Sequence, residues 1–178
     1  DAFFYENMQD LQSSLTECYK VHQIWGTAAL DWFLGTFSMQ MLLFGRFHYE
    51  RIPFTKPTYT FGEQVVKTGS MVFNIHIPAM GPLTKEARMD SYRRIYNYVK
   101  PQNGVLPITC TSWLLCPNLL EICRADSNMV GFLTDFDSID RTYPTPQQPF
   151  LDAWRVFGMD YTGDASVLPR NTDLQRRI

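Results

Sequence analysis

Residues 71–99, "MVFNIHIPAMGPLTKEARMDSYRRIYNYV", change their hydrophobic period in mid-stretch, and this constrains the fold more than any other feature. Met71, Phe73, Ile75 and Ile77 alternate with Asn74 and His76, the period of two of a β-strand. Pro78 stops that strand, a Pro/Gly loop follows, and Thr84 is placed to cap a helix with Glu86 in its first turn. Ala87, Tyr92, Ile95 and Val99 give the helix a buried stripe. A strand, loop and helix in this order form a common seat for an anionic cofactor, because backbone N–H groups at a helix start attract phosphate.

Around this stretch the chain reads as helices followed by strands. Residues 7–25 place Met8, Leu11, Leu15, Cys18, His22 and Trp25 on one helical face ended by Gly26, and residues 27–39 gather Leu30, Phe33, Leu34 and Phe37. In "LLFGRFHYERI", Leu43, Phe47 and Tyr49 alternate with Arg46, His48 and Glu50, which predicts a half-buried strand ended by Pro53 and Pro57. A second strand is expected over 58–67, joined by Thr68-Gly69-Ser70 in an antiparallel hairpin to the strand at 71–77. After the 85–99 helix, which acts as a crossover, "KPQNG" leads into a fourth strand at 105–114. Pro117 starts a short helix through Cys123, and 129–136 reads as a fifth strand. "DRTYPTPQQPF" reads as an exposed loop, and a short strand or helix follows at 154–157. The fold class is therefore α+β (mixed α/β), a largely antiparallel sheet with flanking helices. We expect one domain over 1–178, with a helical segment at 1–39 and a sheet-containing body at 40–178. A first residue other than Met, and a closing "NTDLQRRI" that looks like one helical turn capped by Asn171 or Thr172, suggest a piece of a longer chain.

Composition excludes several functions. At 178 residues and 45% hydrophobic content the chain can bury a core, and thirteen Phe, nine Tyr and four Trp make that core aromatic. A net charge of −2 and a pI near 5.9 argue against nucleic acid or an anionic membrane as partner. The most apolar run, 37–47, is broken by Gln40 and Arg46 and falls short of the roughly 20 residues of a membrane span. Cys18, Cys110, Cys116 and Cys123 form no C-x-x-C pair, so they read as small core residues of a reducing, cytoplasmic protein. The histidines at 22, 48 and 76 have no second ligand at a metal-binding spacing, and no metal is expected.

Three segments carry a family likeness: "FNIHIPAMGPLTKEARMDSY", "CTSWLLCPNLLEI" and "ADSNMVGFLTDF". With "FGRFHYERI" and "TDLQRRI" they resemble, in order and from about Trp32 onward, the GNAT-like C-terminal domain of bacterial acyltransferases. The chain departs from that pattern at Thr111, where a His is expected between Cys110 and Ser112. The resemblance implies a mixed sheet whose fourth and fifth strands, in the family's order, splay apart so that acetyl-CoA or another acyl-CoA lies between them. Residues 71–77 and 105–114 would be those strands. The cofactor would lie along Ile75, Ile77, Ala79, Met80, Gly81, Leu83, Thr84 and Lys85, with a backbone N–H at 75–77 polarising the thioester. The usual loop motif of this fold, Gln/Arg-x-x-Gly-x-Gly/Ala, is here "AMGPLT", with one glycine and a proline that removes a donor.

The implied activity is N-acyl transfer to a small-molecule amine of unidentified structure. His76 is the general-base candidate by chemical type, with a structural His bonded to backbone as the alternative. Cys110 and Ser112 share a strand face and would meet His76 if the strands neighbour each other; otherwise they are a buried Cys and a backbone-bonded Ser. Trp113 reads as core or as a pocket wall for substrate. Asn128, after Asp126 and Ser127, is either a ligand-facing residue or ordinary turn chemistry. Arg93 and Arg94 lie too far past the helix start for a phosphate site and read as a solvated face. Two rival functions stand beside transfer: a non-catalytic ligand-binding or scaffold domain, and a Cys110 nucleophile enzyme paired with His76.

Overall fold

The segment expected as one strand in "LLFGRFHYERI" folds back on itself. Met41–Phe44 (β1) and Phe47–Pro53 (β2) pair antiparallel, with Phe44 opposite Phe47 across a two-residue turn. Gly45 adopts φ 60° at the first central position of that turn, a conformation that favours glycine, and Arg46 has an ordinary φ. A Cβ at Gly45 would also stand 3.6 Å from the Ser91 backbone, so this turn sits close against a helix. The computed structural model describes residues 2–27, 30–141, 153–159 and 161–178.

The expected strand at 58–67 is also a hairpin, of Tyr59–Phe61 (β3) and Gln64–Val66 (β4), because Gly62 (φ 55°) turns the chain midway. It does not pair with the next strand. Met71–His76 (β5) lies antiparallel to β2, with His48 opposite His76, and Phe54 is tied to Ser70 and Gly69 by backbone bonds of 2.8 and 2.7 Å. The expected helix forms at Lys85–Val99 (α3), capped by Thr84, whose hydroxyl accepts the Ala87 N–H at 3.2 Å. It crosses over to Ile108–Cys110 (β6), parallel to β5, in the sheet order β1-β2-β5-β6. β6 is shorter than the expected 105–114, because Ser112 caps a single 3-10 turn at Trp113–Leu115.

The register decides which side chains share a face. Phe44, Phe47, Tyr49 and Ile75 point to α3 and join Leu83, Ile95, Leu114 and Phe132 in the main core. The expected strand at 129–136 is instead the helix Asn128–Leu133, which supplies Phe132 to that core; Ser127 starts it by accepting the Val130 N–H. Its apolar residues Met129, Val130, Phe132 and Phe136 fit a helical stagger as well as a strand.

The opposite face is not the solvated one that alternation implied. His48 is fully buried, beneath Ala2–His22 (α1) and Leu30–Phe37 (α2). α1 starts earlier and ends earlier than the expected 7–25, and α2 is shorter than the expected 27–39, of which 28–29 lie outside the described residues. Asn7 of α1 accepts the Leu43 N–H at 2.6 Å, which satisfies an amide on the edge strand β1.

Leu119–Ile122 (α4) forms where Pro117 predicted a short helix, and with Asn128–Leu133 as α5 the helices continue at Ala153–Phe157 (α6) and Asp173–Arg177 (α7). Thr172, not Asn171, caps α7 in a reciprocal box with Gln175, whose amide also donates to the Val156 carbonyl of α6 at 2.8 Å. Most of "DRTYPTPQQPF" lies outside the described residues. Among those described, no helix is long and apolar enough to cross a membrane, and no His/Cys/Asp/Glu group could hold a metal ion.

Candidate active site

At the end of β5 the α1/α2 face of the sheet carries a polar cluster. His76 Nε2 lies 3.0 Å from Glu50 Oε2 and 3.2 Å from Asn74 Nδ2. One nitrogen cannot serve both: protonated it donates to Glu50, bare it accepts from Asn74. An ionised Glu50 therefore selects the Nε2–H tautomer and leaves Nδ1 as the acceptor. Nδ1 has no hydrogen-bond partner among the described residues. Asn74 is oriented in turn by the Thr109 hydroxyl, which donates to its Oδ1 at 3.3 Å. The imidazole is about a quarter exposed (27%), so it is held but reachable.

Behind it lies a second, buried layer. Trp32 of α2 packs edge-on to both histidines, at 4.5 Å from His76 and 5.6 Å from His48. Its indole N–H donates to Asp10 Oδ2 at 3.1 Å, and His48 Nε2 stands 3.0 Å from the same oxygen. That second approach is an ion-pair contact, and neither ring nitrogen of His48 meets a well-aligned hydrogen-bond partner among the described residues. Burial pushes the Asp10 carboxyl up, but His48 and Trp32 outweigh it, and the net shift is downward.

The loop between β5 and α3 is shaped by two buried arginines. Arg46, from the β1–β2 turn, donates from Nη1 to the Pro78 carbonyl (2.7 Å), from Nη2 to Gly81 (2.8 Å) and from Nε to Pro82 (3.4 Å). Arg88 of α3 donates to the Leu83 carbonyl at 2.7 Å and is held by the Asp135 carboxylate, 2.6 Å from its Nε. The carbonyls of Pro78, Gly81, Pro82 and Leu83 are thereby drawn toward the two guanidiniums. The amides of Ala79, Gly81 and Leu83, and those of Lys85 and Glu86 in the first turn of α3, have no hydrogen-bond partner among the described residues. Gly81 has φ 92°, and a Cβ built there meets nothing within 4 Å, so open space lies over the loop. Lys85 adds an exposed cation.

The other expected site residues fall apart from this cluster. Ile75 and Cys110 are register partners and both point to the α3 core, as does Ile77, so only their backbone could face a ligand on the other side. Burial pushes the Cys110 thiol up to about 12, which leaves it protonated and turned away from His76. The Ser112 hydroxyl is engaged as a cap, accepting the Leu114 N–H at 3.2 Å. Trp113 packs on the main core, and Asn128 is an exposed first residue of α5 beyond the Ser127 cap. Arg94 is paired with Asp90 and Glu6, and Arg93 with Asp90, on an exposed helix face. Sequence reasoning overlooked Glu50, Trp32, Asp10, Arg46 and Arg88. "FGRF" did carry a signal, since a Gly-X pair between apolar residues suits a two-residue hairpin turn that would present Arg46 at the sheet's end.

Known proteins place this arrangement in context. A family model described as the GNAT-like C-terminal domain matches residues 41–178. The crystal structure of an acyltransferase in complex with decanoyl-CoA matches with a TM-score of 0.73 at 23% identity, over 99% of this chain and 52% of that one. Another, of an acyltransferase in complex with decanoyl-CoA and teicoplanin, matches with a TM-score of 0.72 at 21% identity over the same shares. The chain thus spans about half the length of these solved relatives, and the likeness is one of fold. No curated protein matches it.

Proposed function

Because the chain belongs to the GNAT-like C-terminal domain family, we propose that it forms the acyl-CoA-binding and proton-transfer part of an N-acyltransferase whose acceptor is a small-molecule amine. One observation carries this reading: a loop whose carbonyls are held by a buried arginine and whose amides at 79, 81 and 83 are unbonded among the described residues lies directly after the strand that ends in an oriented histidine. The solved relatives hold decanoyl-CoA, and one also holds teicoplanin, which supports both the donor and the class of acceptor.

The residues fit an acyl-CoA. The amides of 79, 81, 83, 85 and 86 make no hydrogen bond among the described residues, and a pyrophosphate needs several such free donors. Lys85 adds charge at the positive end of α3. The β5–β6 pairing stops at Ile75 opposite Cys110, so the backbone of 75–77 lies where the two parallel strands end their contact. Bound acyl-CoA would supply an activated thioester carbonyl. His76 Nδ1 takes the proton of the incoming amine, directly or through water, while Glu50 stabilises the imidazolium through Nε2–H. Cys110 takes no part, because its thiol is protonated and on the other face. We assign residues 1–178 to one domain, with 1–39 as its helical segment, and place it in the cytoplasm, where free cysteines remain reduced.

Calorimetric titration with CoA and decanoyl-CoA, joined to CoA release with a panel of amines, tests the proposal. We expect saturable binding, and a loss of turnover of about 10²- to 10⁴-fold in His76→Gln with acyl-CoA affinity unchanged. No binding at millimolar ligand would end the acyl-CoA reading. Binding without turnover on any amine would leave the non-catalytic ligand-binding domain.

A further inference from the structure

The loop "AMGPLT" has one glycine and a proline, a poor sequence for presenting backbone donors to a phosphate. It nevertheless leaves the amides of 79, 81 and 83 unbonded among the described residues, and part of the cause lies outside the loop. Arg46 is nearly buried, is fixed by a tight turn between two phenylalanines, and spends all three of its bonding nitrogens on loop carbonyls at 78, 81 and 82. A carbonyl turned toward a ligand would repel an anion. One turned inward toward a guanidinium does not. Because the C=O and N–H of one peptide point opposite ways, holding the carbonyls of Pro78 and Pro82 turns the N–H groups of Ala79 and Leu83 outward. The peptide after Gly81 has no N–H, since Pro82 follows.

We infer that Arg46 is a positioning residue for anion recognition: it compensates for the missing glycines by holding the 78–82 loop so that the Ala79 and Leu83 amides face outward, and the protein thereby distinguishes pyrophosphate-bearing ligands from those that lack it. The inference rests on the acyl-CoA reading of the same loop. Arg46 touches no ligand in this role. Its cation lies behind the carbonyls and acts on the anion through the loop dipoles it orients. A lysine at this position offers one ammonium in place of a planar fork and cannot hold three carbonyls spread over five residues in the same geometry.

The test compares wild type with Arg46→Lys and Arg46→Met, reading affinity for CoA and for pantetheine, which lacks the pyrophosphate, by calorimetry. Amide exchange of residues 79–86 is followed in the ligand-free proteins. We expect Arg46→Lys to weaken CoA at least tenfold, to leave pantetheine within about twofold, and to speed exchange in 79–86 while α7 is unchanged. Methylguanidinium should restore part of the CoA affinity of Arg46→Met. A general loss of structure would weaken both ligands together and would overturn the inference, as would unchanged CoA affinity or unchanged exchange in Arg46→Lys. If Arg46→Met does not fold, Arg46→Lys alone decides. If wild-type protein binds neither ligand, the acyl-CoA reading fails, and the exchange comparison separately decides whether Arg46 holds the loop.

Discussion

The contact between the β1–β2 hairpin and α3 gives a prediction whose size can be worked out. Tyr49, Ser91 and the Phe44 carbonyl form a buried chain in which Ser91 donates to Phe44 and, its one proton used, accepts from Tyr49 at 3.0 Å. Replacing Ser91 by Ala removes both links: the Tyr49 phenol is left buried without a partner, while the Phe44 carbonyl loses one of its bonds and keeps its place opposite Phe47 in the hairpin. The orphaned phenol costs about 1–3 kcal/mol and the lost Ser91–Phe44 bond about 1 kcal/mol, so Ser91→Ala should destabilise by about 2–4 kcal/mol. Tyr49→Phe leaves the Ser91–Phe44 bond intact and should cost about 1 kcal/mol. The double variant carries no orphaned phenol, so its cost should fall short of the sum by about 1 kcal/mol or more. Urea unfolding of the four proteins measures this directly. Additivity within about 0.5 kcal/mol would refute the chain as drawn, and with it the account of how the Arg46 turn is seated against α3.

Two further outcomes follow from buried groups. The Cys110 thiol, raised from 9.0 to about 12, binds its proton longer in the folded than in the unfolded state, so stability should fall as pH rises from about 9 toward 12. Cys110→Ala should flatten that slope in alkaline urea titrations, and in native protein iodoacetamide should reach exposed Cys116 well before Cys110, whereas equal labelling rates would contradict the burial. Gly131→Ala would place a Cβ 3.1 Å from Arg88 Nη2, which is locked by Asp135 and Leu83, so thermal unfolding should show a net loss of about 1–3 kcal/mol despite the better helix propensity of alanine. A higher melting temperature would mean that Arg88 moves freely.

Much of the fold was legible where one period ran unbroken. The strand at 71–76, its Pro78 stop, the Thr84 cap and α3 are found as read, because capping and alternation are local properties. Legibility failed where a turn interrupts an apolar run. "LLFGRFHYE" alternates well enough for one strand, yet Gly45 with positive φ makes it two. "MVGFL" suits either period, and only the Ser127 cap and the core position of Phe132 decide for helix. For the candidate site, His76 was singled out by chemical type, but its partners are long-range. Glu50 and Asn74 share a face only through the β2–β5 register, and Asp10 and Trp32 arrive from helices whose docking is not written in any spacing. The same holds for Arg46, Arg88 and Ser91, polar residues at buried positions that a hydrophobic pattern passes over.

The claim that the 79–86 amides form a pyrophosphate seat is tested most directly by hydrogen exchange on the protein with and without saturating CoA. The account predicts slowed exchange at 79–86 and around 75–77, with α7 and the β3–β4 hairpin unaffected. Unchanged exchange across 79–86 under conditions where CoA is shown to bind would contradict it, because the ligand would then be held elsewhere.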